Sequence, residues 1–201
     1  MLNIQAQASS MQKIPQSQFR ASYKRNMRPY ILKMNTIISP ANGKVVAVLK
    51  IDSDKFEIKK GLIGKIKTEY KLKEGYVVSI FMPLYVAHEN IAPIAGKITN
   101  IEYKKGKFLS TFTLEKALYN EKNEITIRNK ELGEIKVIQI AGLIARRIRC
   151  YVKQGEEVKQ GDKLGRILIG SQVTLILPKK VKVTAKLGDK VKCGKTIIGE
   201  F

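Results

Sequence analysis

Near the C-terminus the run Leu168-Ile169-Gly170-Ser171-Gln172-Val173 places a serine hydroxyl directly after a glycine carbonyl, inside an apolar, strand-like stretch. A hydroxyl so placed can attack that carbonyl and move the backbone from amide to ester. Elimination then leaves a pyruvoyl group, a built-in carbonyl, on the new N-terminus. Most Gly-Ser pairs are simply turns, so the pair carries weight only together with its surroundings. His88 is the chain's only histidine, and an imidazole exchanges protons near neutral pH; taken alone it reads as a solvated loop residue. Cys150 and Cys193 form no CxxC and no Cys/His cluster, so they read as reduced thiols, and no metal site is expected. Ser171 lacks the G-x-S-x-G elbow of a hydrolase. A P-loop and a dinucleotide fingerprint are also absent.

The elements that must position these groups are mostly strands. From Ile37 onward, short β-prone runs alternate with Gly, Asn and Lys: Val45–Ile51, Tyr76–Phe81, Lys97–Tyr103, Glu124–Arg128, Glu134–Ile140, Leu164–Ile169, Val173–Leu177 and Val181–Ala185. Asn42-Gly43, Gly64-Lys65, Lys105-Gly106 and Leu187-Gly188 are turn signals between them. Helix is expected only as a turn or two at Leu114–Tyr119 and at Leu143–Arg149. An internal repeat is visible: Gly155-Glu-Glu-Val-Lys-Gln-Gly161 returns as Gly188-Asp-Lys-Val-Lys-Cys-Gly194. Glycines allow positive φ and the valine packs inward. Paired copies of this kind mark a barrel-sandwich hybrid, the fold of biotinyl and lipoyl carriers. Leu177-Pro178-Lys179-Lys180 has no flanking Met, so a carrier function is not expected. The fold class read here is mainly β: a single β-rich domain with a barrel-sandwich-hybrid-like repeat in its C-terminal half and few short helices.

A chain of 201 residues fits one domain with an appendage. Its 38 Lys and Arg against 17 Asp and Glu favour polyanionic partners, a membrane surface or nucleic acid. Residues 1–51 carry eight basic side chains before the first acid, Asp52. There Arg20, Lys24, Arg25, Arg28 and Lys33 interleave with Phe19, Tyr23, Met27, Tyr30 and Ile31, a mixture suited to a lipid headgroup layer or to a solvated basic tail. Residues 1–36 are therefore read as a flexible basic-aromatic arm and 37–201 as the β domain. Tyr76–Ala87, the longest uncharged apolar stretch, contains Pro83 and is too short to span a bilayer. Met1–Gln18 has no apolar core of a signal peptide. The expected location is cytoplasmic, peripheral on the inner face of the cell membrane.

Taken in order, several segments resemble the short, pyruvoyl-dependent phosphatidylserine decarboxylases. They are Ser39-Pro40-Ala41-Asn42-Gly43-Lys44-Val45, Ser79-Ile80-Phe81-Met82, and Val86-Ala87-His88-Glu89-Asn90-Ile91-Ala92-Pro93. Further on come Tyr103 with Gly106-Lys107-Phe108, Tyr119-Asn120-Glu121-Lys122-Asn123, and Gln139-Ile140-Ala141-Gly142-Leu143-Ile144-Ala145-Arg146-Arg147-Ile148. Gly161 to Gly165, Gly170-Ser171 and Leu177-Pro178 complete the set. The resemblance implies self-cleavage between Gly170 and Ser171 into a larger β chain and a smaller α chain beginning with a pyruvoyl group derived from Ser171. That carbonyl would take the amine of phosphatidylserine or archaetidylserine and accept electrons as CO₂ leaves. It implies His88 as proton donor, with homodimerisation also common among relatives.

The chain departs from the family pattern at three places. S-P-x-D-G reads Asn42 where an aspartate would orient the base used in self-cleavage. Ile91 stands where long forms have a second histidine and short forms an arginine. R-F-G-S-R-V-D reads Leu168 to Thr174 without its arginines and acid. Arg146, Arg147 and Arg166 are the candidates left for binding the substrate phosphate or carboxylate. Two alternatives stay open: a catalytically silent relative that keeps the fold and binds lipid, and a basic β domain binding nucleic acid. The second is disfavoured by 14 Phe and Tyr and no Trp for base stacking.

Overall fold

A computed structural model describes residues 35–52, 65–66, 69, 73–143, 147–167 and 170–201. The arm through residue 34, the turn at Gly64, the end of the run at Leu168–Ile169, and Arg146 lie outside the described residues. The described residues fall within one compact unit, Ile31–Phe201.

That unit is mainly β, as the alternation of short apolar runs requires. Its long strands are β2 (Gly43–Ile51), β3 (Gly75–Met82), β5 (Gly96–Lys104), β6 (Lys122–Asn129), β7 (Gly133–Ile140) and β11 (Ser171–Leu177). Shorter ones are β1 (Thr36–Ile38), β4 (Glu89–Ile91), β8 (Ile148–Cys150), β9 (Glu157–Val158), β10 (Lys163–Ile167), β12 (Lys182–Val183), β13 (Lys190–Val191) and β14 (Ile197–Glu200). Among the described residues a short helix, α1 (Leu114–Ala117), stands where the sequence pattern put it. The largest sheet runs β13-β2-β3-β11-β7-β6-β5-β9, flanked by two three-stranded sheets, β1-β14-β12 and β4-β10-β8. β11 lies between β3 and β7, antiparallel to both, from Ser171 opposite Met82 to Leu177 opposite Tyr76. Val78, Ile80, Met82, Val173, Leu175 and Leu177 point to the main core. Ile138, Ile140 and Ile176 point the other way, against α1.

The repeat read from the sequence forms both edges of the large sheet. Val158 of β9 pairs with Gly96, and Val191 of β13 with Gly43. All four repeat glycines, Gly155, Gly161, Gly188 and Gly194, have positive φ, which glycine tolerates at no steric cost. The structure also shows a second half to this repeat that the sequence reading missed. Ser39-Pro-Ala-Asn-Gly-Lys-Val45 is matched by Ala92-Pro-Ile-Ala-Gly-Lys-Ile98, and their backbones make reciprocal bonds. Ile38 N–H donates to Pro93 O (3.0 Å) and Ile91 N–H to Pro40 O (3.1 Å); Val45 N–H reaches Asp189 O (2.9 Å) and Ile98 N–H reaches Glu156 O (2.8 Å). Even the register shifts correspond, between Val45 and Ala47 and between Ile98 and Asn100. The domain is thus built on a pseudo-twofold.

Two sequence expectations are corrected. Leu143–Arg149 is not a helical turn where described: Ile148–Cys150 is strand β8, because its partner β10 offers an open edge. Val181–Ala185 contributes only Lys182 and Val183 to a strand, since its one sheet partner is the short β14.

Candidate active site

Ser171 opens β11 and its side chain is fully buried. Strand alternation turns it, with Val173 and Leu175, toward the inner core. There Oγ donates to Met82 Sδ at 3.6 Å, a weak acceptor that leaves the hydroxyl loosely held. Beneath it runs a buried amide chain. Asn123 Nδ2 donates to Gln139 Oε1 (3.0 Å), Gln139 Nε2 to Asn90 Oδ1 (2.9 Å), and Asn90 Nδ2 to the same Met82 sulfur (3.6 Å). Buried amides keep such a network only when satisfied, so this one fixes Met82, the floor under Ser171.

Gly170 makes the bend before the strand with φ of +69°, a conformation that strains any side chain. Its N–H donates to His88 Nε2 at 3.0 Å, and its carbonyl oxygen accepts from Thr111 Oγ1 at 3.4 Å. The oxygen also lies against the backbone of Gly142, where an added Cβ would come within 1.6 Å of it. Thr111 and Gly142 were not singled out as site residues by the sequence reading. The only available signal was Gly142 inside the quoted Gln139–Ile148 run.

His88 precedes β4 and is 6% exposed. Its Nδ1 lies 2.6 Å from Val86 O; a carbonyl only accepts, so Nδ1 carries the proton and Nε2 presents its lone pair to Gly170. Burial pushes the imidazole below its ordinary value of 6.5, the nearby Arg166 cation pushes the same way, and the Val86 bond opposes them. His88 is therefore held as a neutral base on the N–H of Gly170, one peptide unit before the Gly170–Ser171 bond.

Arg166 sits on β10 opposite both Glu89 and Arg149. Cross-strand partners share a face, and like charges directly opposite repel. Arg149 and Arg166 are exposed, as is Arg147 two residues before Arg149, and none of the three forms an ion pair among the described residues. Such a face is relieved by binding an anion. Arg149 was missed by the sequence reading, although its spacing from Arg147 is the strand period. Around Gly170 stand exposed apolar side chains: Leu84 (56%), Tyr85 (89%), Phe112 (60%) and Leu143 (61%). Leu84 Cδ2 is 3.1 Å from where a Gly170 Cβ would sit, Phe112 follows Thr111, and Leu143 follows Gly142. A charged concavity with Lys104, Glu124 and Lys136 in its wall shares no residue with this site.

The structure brings Gly170, Ser171, His88 and Arg166 together, and Asn42 directly precedes the neighbouring strand β2, which pairs with β3 as Ser171 does. Asn42 Oδ1 accepts the Cys193 N–H at 2.9 Å, tying the first turn to the second repeat, while both nitrogens of His88 are engaged by other groups. Ile91 is 1% exposed, packed in the interior. Burial raises the Cys193 thiol to about 12, so it stays protonated.

Residues 16–199 match the family model described as phosphatidylserine decarboxylase. Proteins named phosphatidylserine decarboxylase proenzyme are similar to the chain. That of Syntrophus aciditrophicus is 39% identical over 165 residues, covering 82% of this chain and 71% of the relative. Those of Desulfotalea psychrophila (37% over 167 residues, 83% and 72%) and Nitrosomonas eutropha (36% over 165 residues, 82% and 69%) follow. The chain belongs to the phosphatidylserine decarboxylase family, a family of carboxy-lyases.

Proposed function

We propose that this chain cuts its own backbone between Gly170 and Ser171 and then decarboxylates a serine-headgroup phospholipid, phosphatidylserine or archaetidylserine, to the ethanolamine lipid. The observation that carries the reading is the neutral Nε2 of His88 on the amide of Gly170, one residue from a buried serine hydroxyl. The pyruvoyl group, once formed from Ser171, supplies a carbonyl that binds the substrate amine and draws off electrons as CO₂ departs. The residues present fit it: the new N-terminus would begin against Met82, next to the Gly170 that His88 and Thr111 hold. Once the Gly170 N–H releases it, His88 Nε2 can take the Ser171 proton and pass it to the departing nitrogen; in the cut enzyme the same imidazole, charged again from solvent, is the group placed to protonate the substrate carbon. Arg147, Arg149 and Arg166 hold the anionic headgroup, and Leu84, Tyr85, Phe112 and Leu143 meet the acyl or isoprenoid layer beside it. The enzyme works as a peripheral protein on the cytoplasmic membrane face; among the described residues no helix is long and apolar enough to cross a bilayer.

The test is the denatured mass of purified protein beside Ser171→Ala. Two fragments, one ending at Gly170 and one whose N-terminal serine has lost ammonia, are expected from the parent and an uncut chain from the variant. Loss of CO₂ from serine-headgroup vesicles should follow cleavage. An uncut parent chain that still binds such vesicles would replace this reading with that of a silent, lipid-binding relative.

A further inference from the structure

We propose that Thr111 and Gly142 form the cradle that stabilises the negative charge on the Gly170 carbonyl oxygen during self-cleavage, with Asn120 holding the two in place. The inference rests on the self-cleavage reading and adds catalytic residues to it. In the first step Ser171 Oγ bonds to the Gly170 carbonyl carbon. The C–N bond to Ser171 then breaks, and the hydroxyl proton is carried to the departing nitrogen. Between the two, the carbonyl oxygen holds a full charge. The ester next loses the Ser171 Cα proton and its Cβ–O bond, releasing the Gly170 carboxylate; the resulting enamine becomes an imine, takes up water and releases ammonia.

Charge on that oxygen needs a donor, and Thr111 Oγ1 is the hydroxyl aimed at it. The side chain is 2% exposed, so water does not compete for it. The uncut bond is long, 3.4 Å, and is free to shorten as charge develops. A contact stronger in the transition state than in the ground state is the kind that accelerates a step. Gly142 admits the oxygen because it has no side chain. The two segments are tied by one fully buried amide. Asn120 Oδ1 accepts Leu109 N–H (2.8 Å), and its Nδ2 donates to Leu109 O (2.8 Å) and to Ala141 O (2.8 Å). One side chain thus fixes the residue two before Thr111 and the residue before Gly142.

The test follows cutting of freshly made full-length protein on denaturing gels for the parent, Thr111→Val, Thr111→Ser and Ser171→Ala, with and without hydroxylamine, which cleaves esters. Thr111→Val should cut about 100-fold more slowly, the low end for removal of one oxyanion donor, and hydroxylamine should not restore it because too little ester forms. Thr111→Ser should cut near the parental rate. Thr111→Ala serves if the valine variant does not fold. A parental rate in the valine variant, its rescue by hydroxylamine, or a serine variant as slow as valine overturns the cradle while leaving self-cleavage intact. A parent chain as uncut as Ser171→Ala removes self-cleavage itself and the cradle with it.

Discussion

Replacing Gly142 by alanine puts the site geometry under its sharpest test. The new Cβ would lie 1.6 Å from the Gly170 oxygen, where carbon atoms are essentially never found under 3.0 Å, so a retreat of at least about 1.4 Å is required. Little nearby can give. Ala141 is held by Asn120 on its carbonyl and by Glu121 O on its N–H (2.9 Å), and Gly170 is followed at once by a strand paired on both sides. The carbonyl must therefore swing away from Thr111. Misplacing a reacting group by about 1 Å costs roughly 100-fold in rate, and overpacking costs about 1–3 kcal/mol. For a chain of this size that lowers Tm by about 2–12 °C. The assay is a time course of the Gly170–Ser171 cut alongside a thermal melt of the Ser171→Ala background with and without the alanine. A variant that cuts as fast as the parent with an unchanged melt would show that the oxygen does not lie against Gly142, and the geometry argued here would be wrong.

His88 gives a pH prediction. Its folded-state value lies below 6.5, so the stability tied to its neutral form is fully present above that pH and is lost as pH falls through the lower folded value; the cutting rate should hold below pH 6.5 and then drop together with the melting temperature. A rate that halves at 6.5 or above would contradict the burial argument. Cleavage should not separate the fragments, because β11 buries Val173, Leu175 and Leu177 between β3 and β7 while Val191 and Ile198 add to the same core, at about 1.5–3 kcal/mol each; size-exclusion under native conditions should give one peak holding both chains. Asn90→Leu strands the Gln139 amide in the interior and should cost about 1–3 kcal/mol, read as a lower denaturant midpoint. Asn42→Asp keeps an acceptor for the Cys193 amide, so the cutting rate should not change; marked acceleration would mean that residue 42 acts on His88 after all.

Much of this was legible in the sequence because period and turn chemistry are local. The strands with alternating or continuous apolar runs, the short helix at Leu114, and the Gly-flanked repeat all show in residues that lie next to one another. Gly170-Ser171 and His88 were legible for a different reason, since their residue types carry chemistry wherever they fall. What stayed hidden depends on residues distant in sequence meeting in space. Thr111 looks like any loop threonine until Asn120 pins its segment beside Gly142. Arg149 looks like one more surface charge until β10 sets Arg166 opposite it. Strand β8 could not be told from a helical turn, because three residues carry no period and the edge it completes comes from β10.

The pseudo-twofold explains why one side of this domain holds chemistry and the other does not. His88 and Asn35 occupy matching positions, and each offers its carbonyl to the returning strand: Ile167 N–H to His88 O at 3.1 Å, Phe201 N–H to Asn35 O at 3.0 Å. On the strands that follow, Arg166 corresponds to Glu200 and Arg149 to Lys182, by their equivalent pairings in the two small sheets. The backbone scaffold is shared, so it cannot be what makes the site. Side chains break the symmetry: a base and two facing arginines on one side, an amide and a lysine–glutamate pair on the other. The same comparison bears on Asn42, whose counterpart is Ala95. Its extra hydrogen bond to Cys193 has no equivalent across the axis, and the Cys193 thiol in turn feels the Glu89 carboxylate, next in sequence to His88. The competence of Gly170–Ser171 rests first on His88, Thr111 and Gly142, all of which touch Gly170 directly.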